Sequence, residues 1–190
     1  MKPLVLATLL VAVGCQRGSQ CHPGTPSKLE LRNGAGALTM AWKGDDLCDG
    51  QWKRVGSLEA GPDAVTLRDA AGKRRLELTR ESPTVGHARD QAGPKLRLYR
   101  DDKELRVLTA AGVPLGSVVP ETTRGAIIYN PGSTPLAKVS LRDPDAVVTD
   151  MSGTALTYVH PSTALGPAGV FGVPSLDPAE ALAIYIFWSR

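Results

Sequence analysis

The chain has 190 residues, a net charge of +3 and only 5% aromatic residues. This length suits one domain of ordinary size. The near-neutral charge, without a long block of one sign, excludes the strong electrostatic field that recruits nucleic acid, so we predict no nucleic-acid partner.

The first residues have the pattern of an export signal. Lys2 supplies a positive charge, and residues 4–13 are apolar apart from Thr8. A run of this length is too short to cross a bilayer as a helix, which needs about 20 residues, but it matches the apolar region of a signal peptide.

The next residues, Ala12-Val13-Gly14-Cys15, resemble the lipobox of bacterial lipoproteins, although that family usually has Leu where this chain has Ala12. The resemblance implies that residues 1–14 are removed as a lipoprotein signal peptide. It also implies that Cys15 becomes the first residue and carries the lipid, with acyl groups such as palmitate. Cleavage by the ordinary signal peptidase and a buried apolar N-terminal strand are the alternatives.

The lipid would anchor the protein stably, because two or three acyl chains hold a protein where one chain holds it only marginally. The membrane is therefore a predicted partner. Gln16, rather than Asp, follows the lipidated cysteine. By resemblance to lipoprotein sorting in enterobacteria, this residue favours the outer membrane, facing the periplasm, over the inner membrane.

Residues 15–27 are rich in Gly, Pro and Ser and are predicted to be a spacer between the lipid and the fold. Cys21 in this spacer and Cys48 are the two remaining cysteines. Export leads to an oxidising compartment, so we predict a disulfide between them, which would tie the spacer to the first hairpin of the domain. Metal binding is the alternative, but neither CxxC nor a histidine pair accompanies these cysteines.

From residue 28 to residue 190 the chain is predicted to form one β-rich domain. Short segments with alternating apolar and polar residues are separated by turn signals such as Asn33-Gly34, which indicates sheets with one dry face and one wet face. There are twelve predicted strands: 29–32, 37–42, 51–58, 64–69, 73–79, 95–100, 104–109, 114–119, 125–130, 136–143, 146–150 and 154–159.

The last segment departs from this pattern and is predicted to be a helix over 177–188. Asp177 is placed as its cap, Pro178 suits the first turn, and Glu180 completes a capping box. Every residue from 181 to 188 is apolar, so the helix must be buried. A final buried β-strand over 184–188 is the alternative.

About twelve antiparallel strands followed by an apolar helix resemble the tubby C-terminal-like fold, which includes LURP-one-related proteins. The resemblance covers 28–190 and implies a closed antiparallel barrel around a buried C-terminal hydrophobic helix. Tubby domains bind phosphoinositides through a basic pocket, but no motif carries such residues over to this chain. A β-sandwich with the C-terminal element packed outside is the alternative architecture.

No motif for catalysis, a cofactor or a metal is present in the sequence, so we predict no enzyme and no cofactor. His22, His87 and His160 lie far apart beside Pro or Gly and are predicted to be exposed loop residues. The acidic stretch 45–49 lacks the alternation of a calcium loop and is predicted to be a solvated loop.

The densest basic cluster is a candidate contact for anionic lipid head groups, with the wet face of a hairpin as the alternative. It comprises Arg68, Lys73, Arg74, Arg75 and Arg80.

The predicted function is a non-catalytic envelope lipoprotein that binds another envelope protein in a secretion, motility or envelope-maintenance machinery. An anionic-lipid-binding or lipid-handling module, and an enzyme whose site is not visible in the sequence, are the alternatives.

Overall fold

The computed structural model describes residues 20–21, 25–162 and 164–190. These residues form a closed antiparallel barrel of fourteen strands with helical segments inside it. The first seven strands are β1 Leu29–Asn33, β2 Leu38–Lys43, β3 Asp46–Asp49, β4 Arg54–Ala60, β5 Ala64–Asp69, β6 Arg74–Ser82 and β7 Val85–Arg89. The other seven are β8 Pro94–Arg100, β9 Leu105–Thr109, β10 Pro114–Thr122, β11 Gly125–Tyr129, β12 Pro135–Arg142, β13 Asp145–Asp150 and β14 Ala155–His160.

Each strand pairs with the next one along the chain, and β14 pairs with β1 to close the barrel. The predicted fold class, a mainly β closed antiparallel barrel around a buried C-terminal helix, is confirmed, and the β-sandwich alternative is wrong. The barrel is larger than predicted, with fourteen strands instead of about twelve. In the described part of the chain, closure leaves no edge of this sheet open to pair with another chain.

The two strands that the sequence did not predict are β3 and β7. The segment of β3 was predicted to be a solvated acidic loop, but its Leu47 and Cys48 are both buried. In β7 the buried positions are Gly86 and Ala88, which give no hydrophobic alternation. The structure explains the small residue, because a Cβ on Gly86 would lie 2.6 Å from Cε1 of Phe187 in the lumen.

The predicted helix is present as α2, Pro178–Trp188, so the alternative of a final strand is wrong. The carboxylate of Asp177 caps it by accepting hydrogen bonds from the backbone N–H groups of Ala179 and Glu180, at 2.9 and 3.0 Å. Every residue from Ala179 to Trp188 is buried. A helix without a wet face is stable here because the barrel surrounds it.

A second segment shares the lumen with α2. It consists of α1, Leu165–Ala168, and the 3-10 turn Gly169–Gly172. This segment packs against β10 to β13, whereas α2 packs against β4 to β6. Fourteen strands enclose a wider lumen than one helix fills, so two segments are needed to form a closed core. Much of the Gly- and Pro-rich stretch 166–175 that precedes α2 is therefore core, including Ala168, Val170 and Val173.

The glycines of this second segment allow it to pack closely against the barrel wall. A Cβ on Gly172 would lie 2.4 Å from Cδ1 of Ile128, and a Cβ on Gly169 would lie 2.4 Å from Cγ1 of Val118. Such contacts are too short without a shift of the neighbouring side chain. The glycine content of this stretch therefore serves packing.

We expect Gly172→Ala to lower the free energy of unfolding by about 2 kcal/mol, the cost of overpacking a core. Ile128→Val removes the clashing Cδ1, so the double variant should recover most of the loss in urea unfolding. Gly166→Ala is the matched control, because no atom outside its chain neighbours and its own helix backbone lies within 4 Å of its added Cβ. Equal losses for Gly166→Ala and Gly172→Ala would contradict this account of the packing.

The hairpin turns divide the barrel into two ends. The end called here the Cys21 end carries the turns 34–37, 50–53, 70–73, 90–93, 110–113, 130–134 and 151–154. The opposite end, called the Trp188 end, carries the turns 44–45, 61–63, 83–84, 101–104, 123–124 and 143–144. Within the described ranges, no helix has the length and apolar character needed to cross a membrane.

Candidate functional site at the Trp188 end

Strands β6 and β8 hold the start of α2 at the Cys21 end of the barrel. Nη2 of Arg75 donates a hydrogen bond to Oδ2 of Asp177 at 2.6 Å. Lys95 forms an ion pair with Glu180 in the first helical turn. The carboxylates of Asp177 and Glu180 also suit the positive end of the helix dipole.

The same two strands supply arginines to the other end of α2. Nη2 of Arg80 donates to the carbonyl oxygen of Phe187 at 2.9 Å, and Nη1 of Arg100 donates to the carbonyl oxygen of Trp188. These carbonyls have no partner within the helix, so the arginines satisfy them. The distance between the two contacts of β6 matches the length of the helix. From Arg75 to Arg80 five strand residues advance about 17 Å, and from Asp177 to Phe187 ten helical residues advance about 15 Å.

The two arginines line a pocket of about 420 Å³ at the Trp188 end. Both guanidinium groups lie beside the indole ring of Trp188, at 5.1 Å from its centroid for Arg80 and 5.9 Å for Arg100. Arg190 also lines the pocket and donates to the carbonyl oxygen of Ala60 at 2.8 Å. We call this pocket the arginine mouth.

The arginines of the arginine mouth lie close together, although three carboxylates, Asp101, Asp102 and Glu104, also line this pocket. Burial, and secondarily the positive charge of Arg80, lower the pKa of Arg100 from its usual value. Among the described residues, the carboxylate paired with Arg80 is that of Asp63, at the long distance of 4.0 Å. Arg100 forms no ion pair with a carboxylate in the part of the chain that the structure describes.

Two of the three carboxylates that line the arginine mouth have other partners. Asp101 accepts hydrogen bonds from the backbone N–H groups of Lys103 and Glu104, which hold the pKa of Asp101 below its usual value. Glu104 pairs with Arg106 at 2.7 Å. A guanidinium has five N–H donors, and the carbonyl of Trp188 uses only one from Arg100. The arginine mouth can therefore donate hydrogen bonds to an acidic or carbonyl group of a bound molecule.

The rim around the arginine mouth has the opposite charge. The turns of the Trp188 end contain six carboxylates and only two cations. The carboxylates are Asp45, Asp63, Asp101, Asp102, Glu104 and Asp143, and the cations are Lys103 and Arg124. An acidic rim around a cationic centre is a polar surface suited to recognition of a partner with complementary charges.

The five basic residues predicted to contact lipid do not form one patch. Arg68 pairs with Glu59 at 3.4 Å and Arg74 with Glu77 at 2.7 Å, while Lys73 lies exposed in a turn of the Cys21 end. Arg75 contacts Asp177, as described above. Arg80 lies at the Trp188 end, so the structure separates it from the other four.

Sequence reasoning missed Arg100, which shares the arginine mouth with Arg80. Its segment, residues 95–100, was predicted correctly as a strand. The signal was the phase of the alternation, because Arg100 lies on the same face of its strand as the buried Leu96 and Leu98.

The cysteines and histidines can be placed only in part. The structure joins Cys21 and Cys48 in the predicted disulfide, with Cα atoms 6.2 Å apart, and both residues are buried. Cys15 and His22 lie outside the described residues.

The other two histidines were predicted to be exposed loop residues; the loop placement was wrong, because both belong to strands, but their side chains are 38% and 46% exposed. Their ring nitrogens have carboxylate partners: His87 in β7 contacts Glu81, and His160 at the end of β14 lies 2.7 Å from Asp145. Both histidines point outward, and each carboxylate comes from the neighbouring strand: Glu81 from β6 and Asp145 from β13. Within the described residues, no group of three acidic, histidine or cysteine side chains is arranged to hold a metal ion.

Comparison with protein-family models, with curated proteins and with solved structures finds no match to this chain.

Proposed function

We propose that this chain is a non-catalytic lipoprotein of the bacterial envelope that binds another envelope protein through the Trp188 end of its barrel. It is anchored through Cys15, in the outer membrane facing the periplasm in preference to the inner membrane. It acts as an assembly component of a secretion, motility or envelope-maintenance machinery. The acidic rim around the arginine mouth is the observation that carries this proposal.

The packing of the barrel supports binding on the outside. The lumen contains α1, the 3-10 turn and α2, whose side chains belong to the hydrophobic core. Another molecule can therefore bind at the outer wall or at either end of the barrel. Of these surfaces, the Trp188 end combines a pocket with a strongly polarised charge pattern. The complementary partner surface carries basic residues around a carboxylate or carbonyl group, which would meet the arginine mouth.

Site-specific photocrosslinking in cells tests this proposal. A photoreactive residue at Asp102, in the rim, should give a discrete crosslinked species with one envelope protein. The same residue at Ala92, in a turn of the Cys21 end, is the matched control and should not give that species. Asp101→Lys, combined with the photoreactive residue at position 102, should reduce its yield severalfold because it reverses a rim charge. Equal crosslinking from both ends, or none from position 102, would overturn the proposal.

Lipid attachment is tested separately. Cys15→Ala should abolish labelling with palmitate and release the protein from the membrane fraction. Continued palmitate labelling of the Cys15→Ala variant would refute the assignment of the anchor. The disulfide pair serves as the control, since Cys48→Ser should leave labelling intact.

A further inference from the structure

The exposed large apolar side chains of the described residues all lie at the Cys21 end. Val113 is 57% exposed, Met151 45% and Trp52 38%, and each belongs to a turn at this end. Leu156, 46% exposed, is the second residue of β14, which begins at the same end. These side chains come from separate points around one end of the barrel, so this end is less polar than the opposite end.

The turns at the two ends also differ in charge. The seven turns of the Cys21 end consist mainly of glycine, alanine and small polar residues, with only Lys53, Lys73 and Asp90 charged. The Trp188 end has six carboxylates in its turns. An anionic bilayer surface would therefore repel the turns of the Trp188 end more strongly than those of the Cys21 end.

Aspartates also end three of the strands at the Cys21 end, but they are engaged within their turns. They are Asp49, Asp69 and Asp150. Each accepts hydrogen bonds from two backbone N–H groups of the turn that follows it. The hydroxyl of Ser152 and the backbone N–H of Thr154 hold the pKa of Asp150 below its usual value. These carboxylates are thus partly compensated by the donors that surround them.

The N-terminal segment meets the barrel at the Cys21 end, the end that carries the exposed apolar side chains. The disulfide joins Cys21 to β3, the backbone N–H of Cys21 donates to the carbonyl of Trp52 at 2.9 Å, and Gln20 bridges to Lys53. The chain therefore reaches the barrel at the Cys21 end. Cys15 is five residues before Gln20, and five residues span at most about 18 Å. Facing the Trp188 end to the bilayer would need this segment to be almost fully extended along the barrel.

We propose that the Cys21 end rests on the bilayer that holds the Cys15 lipid. Met151 and Val113 enter the interface, and Lys53 and Lys73 meet the anionic head groups. This inference rests on the proposed lipid anchor at Cys15. It deepens the proposed function, because the arginine mouth and its acidic rim are then held away from the membrane and presented to the partner.

Lipid quenching at the two ends tests this orientation. The full chain, taken from membranes, is labelled with a fluorescent thiol reagent at Met151→Cys or Val113→Cys, and at Asp102→Cys as the control. Each protein is reconstituted into phosphatidylethanolamine–phosphatidylglycerol vesicles with brominated acyl chains. We expect the labels at positions 151 and 113 to be quenched at least twofold more than the label at 102. Two sites at the Cys21 end are used so that misfolding of one variant does not decide the result.

Charge reversal adds a second measurement. Lys53→Glu with Lys73→Glu should reduce the quenching at position 151, whereas Lys103→Glu at the Trp188 end should not. Mass measurement of the same samples reports acylation of Cys15. Equal quenching at both ends in acylated protein would overturn the orientation and leave the anchor standing. A full chain without an acyl group would overturn the anchor, and the orientation with it.

Discussion

Lys95→Met is expected to lower the free energy of unfolding by about 3 kcal/mol, because it leaves the buried carboxylate of Glu180 without its ion-pair partner. The side chain of Glu180 is only 7% exposed, whereas that of Lys95 is 36% exposed. Breaking a pair with one buried member costs more than breaking a surface pair, since water cannot replace the lost partner. Urea unfolding, followed by circular dichroism, gives the change.

Two further variants separate the ion pair from other effects of the substitution. Lys95→Met combined with Glu180→Leu removes both charges and should recover most of the stability, because an apolar pair is often as stable as a buried ion pair. Lys138→Met in β12 is the surface control, since Lys138 is exposed, and should change stability by less than about 0.5 kcal/mol. A double variant as unstable as Lys95→Met alone would show that the charge pair is not the cause.

The strands and the helix were predictable because their signals are local, whereas the closed barrel was predicted from the resemblance to the tubby C-terminal-like fold. Alternation along twelve segments indicated strands with one buried face, and the capping residues with the apolar run after them indicated a buried helix. The missed strands lacked those signals for a reason that lies in the tertiary structure. Gly86 in β7 is small because Phe187 of α2 occupies the adjacent space, and no local pattern contains that information.

The candidate site was less predictable than the fold. The basic run Lys73-Arg74-Arg75 was visible in the sequence. Successive side chains of a strand point to opposite faces, however, so such a run does not form one surface. The arginine mouth instead combines Arg80 and Arg100, which come from different strands and meet at the end of α2. β6 and β8 flank β7 in the sheet, and the end of α2 contacts both arginines, so the pocket is visible only once the strand pairing and the position of the helix are known.

The second large effect is expected from removal of the disulfide. Cys21→Ser with Cys48→Ser should lower the free energy of unfolding by about 3 kcal/mol in the chain-entropy model, since the bridge joins residues 27 positions apart. Cys21 and Cys48 also form a small apolar cluster with Ala41, separate from the core in the lumen. Urea unfolding of the wild-type chain with and without reductant should show the same loss, and reductant should leave the double variant unchanged.

The same substitution links stability to orientation. Without the bridge, the N-terminal segment keeps only backbone contacts such as that from Cys21 to Trp52, so its attachment to the Cys21 end weakens. The linker between the lipid and the barrel is then longer and more flexible. Quenching of the label at position 151 should fall towards that at position 102, although Cys15 remains acylated. If quenching at position 151 is unchanged while the bridge is absent, the turns of the Cys21 end hold the bilayer by themselves, and the disulfide serves stability alone.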